Sequence, residues 1–280
     1  MITRTTLRTA AAGTVALAAL ALAGCSSDSD DSTAADGALP TLTEGKLTIA
    51  TGEPAYQPWV VDDDPTSGEG FESAVAYAVA EEMGFAEEDV VWVRSAFDAA
   101  IAPGAKDWDL NIQQFSITDE RRQAVDFSSP YYTTTQAVVA TEGSAVADAA
   151  SVEDLAGAMI GVAVGTTSYD VAVAQLGEDD LQVFNSVADV VGALNAGQID
   201  AFITDLPGAF YSAAVEVDGG VIVGQFEGTE GGDEFGFVLP KDSELTASVT
   251  DAVDALREDG TLADLEAEWL SEAVDVPVLG

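Results

Sequence analysis

The residue best suited to bind a charged ligand is an arginine in the segment SITDERR at 116–122. Arg121 follows Thr118 by three residues, so a helix that opens at Thr118 carries Arg121 in its first turn. A guanidinium presents a planar fork of N–H donors that fits a carboxylate with two parallel hydrogen bonds. Arg121 is therefore a candidate for binding a carboxylate.

Two further candidates follow predicted strands. The segment Gly165-Thr166-Thr167 lies between the apolar strand 161–164 and a helix, so its backbone N–H groups favour an anion at the helix amino terminus. Asp205 follows the strand 201–204, at the carboxyl edge where open α/β sheets place their ligands.

Composition excludes several classes of function. The chain has no histidine and one cysteine, which removes serine–histidine triads, disulfides and the usual zinc sites. We expect neither a metal nor a cofactor. The formal net charge of −41 makes nucleic acid an implausible partner. The acid excess bears on solubility and not on fold.

The amino terminus resembles an export signal. Residues 1–24 carry Arg4 and Arg8 followed by a small and apolar run, which is shorter than the roughly 20 residues that span a bilayer. The run ends in LAGC at 22–25, so we predict cleavage before Cys25 and lipidation of that cysteine. The Ser- and Asp-rich remainder of 25–44 is predicted to be a flexible stalk.

Strand-like and helix-like segments alternate from Lys46 onward, which favours an α/β fold. A unit of helix, glycine, aspartate and strand at 97–112 recurs at 186–204, and this recurrence predicts two similarly wound lobes. Near the carboxyl end, 235–239 is predicted to be one strand closed by Pro240.

The motif at 116–122, continued by VDFSSPYY at 125–132, resembles the signature of the polar amino-acid binding proteins of ABC importers, the periplasmic type II solute-binding family. The resemblance extends from Leu47 to the final helix. It implies an α/β fold of two lobes, each a sheet flanked by helices, joined by a two-strand hinge. Lobe 1 is expected at 45–132 plus 234–280, lobe 2 at 137–231, and the hinges near 133–136 and 232–236.

The resemblance also implies roles for individual residues. Arg121 would hold the ligand's α-carboxylate with Thr167 as a second contact, and Asp205 would accept its α-ammonium. Ser116 matches another ligand-contacting position, whereas Arg122 is interpreted as a surface charge. The two aromatic residues expected to sandwich the ligand side chain are Tyr56 and Phe97.

Some positions depart from the family pattern and bear on the ligand's identity. Ala74 stands where an aspartate is usual, and Gln113 and Gln114 replace smaller residues. Glu53 falls where receptors for basic amino acids carry an acid, which favours a cationic or strongly polar ligand side chain.

The resemblance predicts an extracytoplasmic receptor that closes its lobes on a polar amino acid, a class that includes the basic ones, and delivers it to an ABC permease. It would be a monomer held at the membrane by its lipid, and not an enzyme. Two alternatives use the same fold. One is a carbon–oxygen lyase (dehydratase) with Glu53 and Asp205 as acid and base, and the other is a sensory domain. Sensory domains usually adjoin a transmembrane helix and a signalling domain, which this sequence does not show.

Overall fold

The computed structural model describes residues 39–179, 181–227, 233–270 and 276–280. The predicted signal 1–24, Cys25 and most of the predicted stalk 25–44 lie outside these residues. The end of the predicted stalk is not a free linker, because Leu39 packs against the core around Leu47 and the Leu42 N–H donates to Asp109 at 2.8 Å. Of the helices in the described ranges, none has the length and apolar character needed to cross a membrane.

The described residues form thirteen strands and seven α-helices. The strands are β1 (Leu47–Thr51), β2 (Val90–Arg94), β3 (Leu110–Asn111), β4 (Val125–Phe127), β5 (Tyr132–Thr134), β6 (Gln136–Thr141), β7 (Ile160–Ala163), β8 (Leu181–Phe184), β9 (Ala201–Asp205), β10 (Gly220–Phe226), β11 (Asp233–Phe235), β12 (Val238–Pro240) and β13 (Val278–Leu279). The helices are α1 (Phe71–Glu82), α2 (Phe97–Ile101), α3 (Thr167–Leu176), α4 (Val187–Asn195), α5 (Leu206–Tyr211), α6 (Thr246–Glu258) and α7 (Thr261–Trp269).

Sheet 1 has five strands in the order β2-β1-β3-β12-β4. Strand β1 pairs in parallel with β2 and β3, and every one of its residues is buried. A central parallel strand covered on both faces requires this apolar sequence. Helices α1, α6 and α7 pack with Leu47 and Ile49 on one face, whereas Ala50 faces a second core that contains Phe97 and Phe115.

Sheet 2 has six strands in the order β13-β10-β6-β9-β7-β8. Successive residues of its central strand β6 belong to different cores because side chains alternate across a strand. Val138 and Ala140 pack in the core that includes α3, whereas Ala137 and Val139 pack in the core that includes α4 and α5. Sheet 2 is thus covered on both faces.

The chain passes between the sheets next to a short antiparallel ladder. Strand β5 precedes the passage into β6 of sheet 2, and β11 precedes the return into β12 of sheet 1. The two strands pair with Thr134 opposite Asp233 and Tyr132 opposite Phe235. The single strand predicted at 235–239 is therefore two strands, β11 and β12, with Gly236 and Phe237 between them.

The last strand does not lie with the predicted lobe 1, which was expected to extend to residue 280. Strand β13 instead pairs in parallel with β10 of sheet 2. Gly224 on β10 makes room for it, because a Cβ atom there would come within 2.7 Å of the Leu279 side chain. Leu279 is only 3% exposed and belongs to the core around α3.

We expect Leu279→Ala to lower the free energy of unfolding by about 2–4 kcal/mol, because it removes a buried side chain from the sheet 2 core. Chemical denaturation measures the change. Val278→Ala is the matched control, because Val278 is 53% exposed on the same strand. Equal effects of the two substitutions would contradict the docking of β13.

Candidate functional site

A cavity of about 440 Å³ is lined by residues from both sheets and the loops that follow their strands. Its walls include Thr51 at the end of β1 and Asp205 at the end of β9. Ligands of open α/β sheets bind at such carboxyl ends. The structure brings all seven residues singled out from the sequence to this cavity: Glu53, Tyr56, Phe97, Ser116, Arg121, Thr167 and Asp205.

Arg121 occupies a short 3-10 turn, Arg121–Gln123, and not the first turn of an α-helix. The predicted role of Thr118 in opening the turn holds, since its Oγ1 accepts a hydrogen bond from the Arg121 N–H at 3.1 Å. The guanidinium donates to the Ser116 carbonyl at 2.8 Å and to the Gly165 carbonyl at 3.0 Å. Its central carbon lies 5.4 Å from the centre of the Phe97 ring.

The charge of Arg121 is buried and lacks a direct counter-ion. The residue is 9% exposed, and none of the ion pairs within 4.0 Å among the described residues includes it. Burial lowers the pKa of Arg121, while the more distant carboxylates of Asp170, Asp205 and Asp233 oppose that shift. Since a buried cation requires an anionic partner, this site is suited to a carboxylate from a ligand.

Two aromatic side chains border the cavity. Phe97 at the start of α2 stacks on the buried Phe115, with ring centres 4.7 Å apart and an angle of 26° between planes. This packing fixes the face that Phe97 turns to Arg121. Tyr56 is half-buried in the loop after β1, and burial raises its pKa, with Glu216 adding to the rise.

The opposite wall begins with the amino terminus of α3. Thr166 precedes the helix, and its Oγ1 accepts from the Tyr169 N–H at 3.2 Å, as an N-cap residue does. The first backbone N–H groups of a helix have no partner within it, so those of α3 are donors beside the cavity. Thr167 lies across from Ser116, with their hydroxyl oxygens 3.1 Å apart.

Asp205 ends β9 and faces the same cavity. Its Oδ1 accepts from the Gln136 amide at 2.6 Å. Burial, together with the neighbouring Asp233 carboxylate, raises the pKa of Asp205 to about 7 against lowering by Gln136 and Arg121. The cavity therefore has a cationic side chain on one wall and a carboxyl with a strong preference for a cation on the other.

This arrangement agrees with comparisons to known proteins. Residues 47–272 match the model of the bacterial extracellular solute-binding proteins, family 3. The chain belongs to this family. The L-arginine-binding protein of Pseudomonas aeruginosa is 29% identical over 254 residues, which cover 83% of this chain and 91% of that protein. A probable histidine-binding protein of Campylobacter jejuni is 30% identical over 232 residues, covering 82% and 85%.

Solved structures give the same result. An ancestral arginine-binding protein bound to arginine matches with a TM-score of 0.66 and 30% identity, over 80% of this chain and 98% of that one. An ancestral amino-acid-binding protein described as a precursor of cyclohexadienyl dehydratase matches with a TM-score of 0.65 and 28% identity, over 80% and 95%. The predicted α/β fold of the type II periplasmic binding proteins is confirmed.

The family 3 protein also has site residues that sequence reasoning missed. Gln136 on β6 donates from Nε2 to both Asp205 and Asp233, at 2.6 Å each, and its Oε1 accepts from Ser168 at 2.6 Å. Thr167 donates to Asp233 at 3.0 Å. Gln136 lay in a predicted hinge, but no local motif indicated that it joins two carboxylates.

The unusual Gln114 of this family member lies on the cavity wall and depends on a buried acid. Glu72 on α1 is fully buried and accepts from the Tyr131 hydroxyl at 2.5 Å, from the Gln114 backbone N–H at 2.7 Å and from the Gln114 amide. Burial raises the pKa of Glu72 to about 7 against these hydrogen bonds. Glu72 thus holds Gln114 at a positive φ of 49°.

Within the described ranges, no three Cys, His, Asp or Glu side chains gather into a group that could hold a metal ion.

We predict that Asp205→Asn stabilises the ligand-free protein at pH 8 by about 1–3 kcal/mol. Asp205 has a raised pKa in the folded state, so folding loses stability as pH rises from the unfolded value of about 4 towards about 7. The gain should be much smaller at pH 4, where the folded state is protonated and the unfolded state is about half protonated.

Chemical denaturation at the two pH values measures this difference. Asp98→Asn is the matched control, because Asp98 lines the same cavity with an exposed side chain. A lower free energy of unfolding for Asp205→Asn at pH 8 would show that the Asp205 carboxylate is stabilising and contradict the prediction.

Proposed function

We propose that this family 3 protein captures a cationic α-amino acid outside the cytoplasm and delivers it to the permease of an ABC importer. The observation that carries the proposal is Arg121, a buried guanidinium that forms no ion pair with the residues the structure describes, in the same cavity as Asp205. An α-amino acid brings a carboxylate and an ammonium to the same carbon. The two side chains are suited to these two groups.

The charge of the cavity favours a cationic ligand side chain. Among the described residues that line it, Arg121 is the only base, whereas Glu53, Asp98 and Asp205 are acids. The α-carboxylate would use Arg121 and the α-ammonium would use Asp205. Glu53 and Asp98 then remain for a positive side chain, with Tyr56 and Phe97 against its apolar part.

The relatives support the same class of ligand. Those described above include an L-arginine-binding protein and a probable histidine-binding protein, and a similar structure was solved with arginine bound. Another matching structure is an amino acid ABC transporter substrate-binding protein of Streptococcus pneumoniae bound to L-arginine, at 27% identity and a TM-score of 0.66 over 82% of this chain and 93% of that one.

Capture would proceed by closure of the two lobes about a hinge formed by β5 and β11. Two hydrogen-bond contacts cross the cavity, from Arg121 to the Gly165 carbonyl and between the hydroxyls of Ser116 and Thr167. A ligand carboxylate at Arg121 would add contacts between the same two walls. Ligand binding thereby favours the closed form that the permease recognises.

The amino terminus supports attachment to the membrane. We infer from the motif LAGC at 22–25 that Cys25 carries lipid and that 26–38 connect it to the folded part as its stalk. Both walls of the clamp come from the same chain, which supports a monomeric receptor.

We expect Arg121→Ala to weaken binding of L-arginine at least 100-fold, because bidentate charged hydrogen bonds to the carboxylate are lost. Isothermal titration calorimetry measures the affinity. Arg122→Ala is the matched control, because the next residue is exposed and carries the same charge. If Arg121→Ala kept the affinity within a factor of about three, the assignment of the carboxylate anchor would be wrong.

We propose binding without turnover, because Arg121 and Asp205 are both engaged by the ligand's α-carbon groups. Incubation with L-arginine, prephenate or arogenate, followed by product analysis, should therefore return each compound unchanged. Release of an aromatic product from prephenate or arogenate that depends on Glu53 or Asp205 would favour the lyase alternative.

A further inference from the structure

Asp233 occupies a position that connects both walls of the site. Its strand β11 pairs with β5 on one side, and on the other the Glu234 carbonyl accepts from the Ile117 N–H at 2.8 Å. Strand β11 thus connects the segment that carries Ser116 to β5, the strand that precedes the passage between the sheets. The Asp233 carboxylate contacts Gln136 and Thr167.

The contacts of Gln136 fix the orientation of its amide. The side chain is 4% exposed, and Ser168 donates to its Oε1. Nε2 must therefore be the atom placed between Asp205 and Asp233, where its two N–H bonds are shared between the two carboxylates. Asp233 and Asp205 are held by one buried donor, so a change in either carboxylate alters the position of the other.

The contacts of Thr167 fix the direction of two hydroxyl protons. A hydroxyl has one proton, and Thr167 donates it to the Asp233 carboxylate at 3.0 Å. In the contact between Ser116 and Thr167, Ser116 must then be the donor. The hydroxyl protons of Ser116 and Thr167 both point towards Asp233, so neither can form a hydrogen bond to a ligand carboxylate in this state.

The donors left for a ligand carboxylate are Arg121 and the first backbone N–H groups of α3. Thr167 would then contribute to carboxylate binding through its backbone and not through its hydroxyl. This refines the role that the sequence predicted for Thr167.

We propose that Asp233 is a positioning residue of the amino-acid site. It holds Asp205 in place for the ligand ammonium through Gln136, and it turns the hydroxyls of Thr167 and Ser116 away from the ligand carboxylate. The inference rests on the proposed function, since it assumes an α-amino acid in the cavity. Asp233 acts through other residues and is not itself the ammonium acceptor.

The proposal makes amino-acid binding depend on pH in a defined direction. The ammonium requires ionised Asp205, whose pKa is raised to about 7, so affinity falls as pH drops below this value. The other charged or titratable groups near the pair are Arg121, Asp170, Tyr131 and Tyr132. Removing the charge of Asp233 should lower the pKa of Asp205 and move the fall in affinity to lower pH.

Asp233→Asn tests the inference in the full mature protein, with L-arginine as the ligand and titration calorimetry between pH 5 and 9. We expect affinity at pH 8 to fall about tenfold, because charged hydrogen bonds that position Thr167 and Gln136 are weakened. The midpoint of the pH profile should shift to lower pH. The unfolding temperature without ligand should not fall, because two neighbouring negative charges become one.

Glu234→Gln is the matched control, since Glu234 is the next residue of β11 and its side chain is exposed. It should bind and titrate like the wild type. An Asp233→Asn protein with wild-type affinity and an unchanged midpoint would overturn the inference while leaving the proposed function intact. The inference would also be overturned if Asp233→Asn lost affinity because the protein was destabilised, as a lower unfolding temperature without ligand would show.

If Asp233→Asn does not fold, Gln136→Met removes the amide that joins Asp233 to Asp205. We then expect affinity at pH 8 to fall about tenfold and the midpoint to move to higher pH, because Gln136 lowers the pKa of Asp205. Wild-type affinity with an unchanged midpoint would overturn the inference. Failure of the wild type to bind any amino acid would overturn the proposed function and this inference together.

Discussion

The buried charge of Arg121 is the constraint around which the site is arranged. A guanidinium removed from water without a carboxylate partner is unfavourable unless its donors are used. Two carbonyl groups accept from it, one from each wall, and Phe97 lies against its face. Because carbonyls cannot neutralise the charge, the buried guanidinium is suited to an external anion.

Local motifs identify a site residue when the residues that position it are close to it in sequence. Arg121 is positioned by Thr118 and Ser116, and Thr167 by the cap at Thr166, so short segments contain the required information. The network of Gln136 is different. Its partners Asp205 and Asp233 are 69 and 97 residues away along the chain, and only sheet pairing and the β5–β11 ladder bring them together.

Sequence patterns also predicted the alternation of strands and helices better than the limits of individual elements. The apolar run at 235–239 satisfies the pattern of one strand, yet its two ends pair with different partners in different sheets. The helix expected to open at Thr118 is a 3-10 turn because β4 begins at Val125 and leaves no room for a longer helix. Tertiary connections determine both outcomes.

The docking of β13 on sheet 2 has a consequence for the mechanics of the molecule. Helix α7 packs in the sheet 1 core, whereas β13 pairs with β10 of sheet 2. The two elements therefore belong to different halves of the molecule, and a movement of one sheet relative to the other separates α7 from β13. A fluorescent tag fused to the carboxyl terminus would accordingly travel with sheet 2, and its distance from a tag on α1 would report on opening directly.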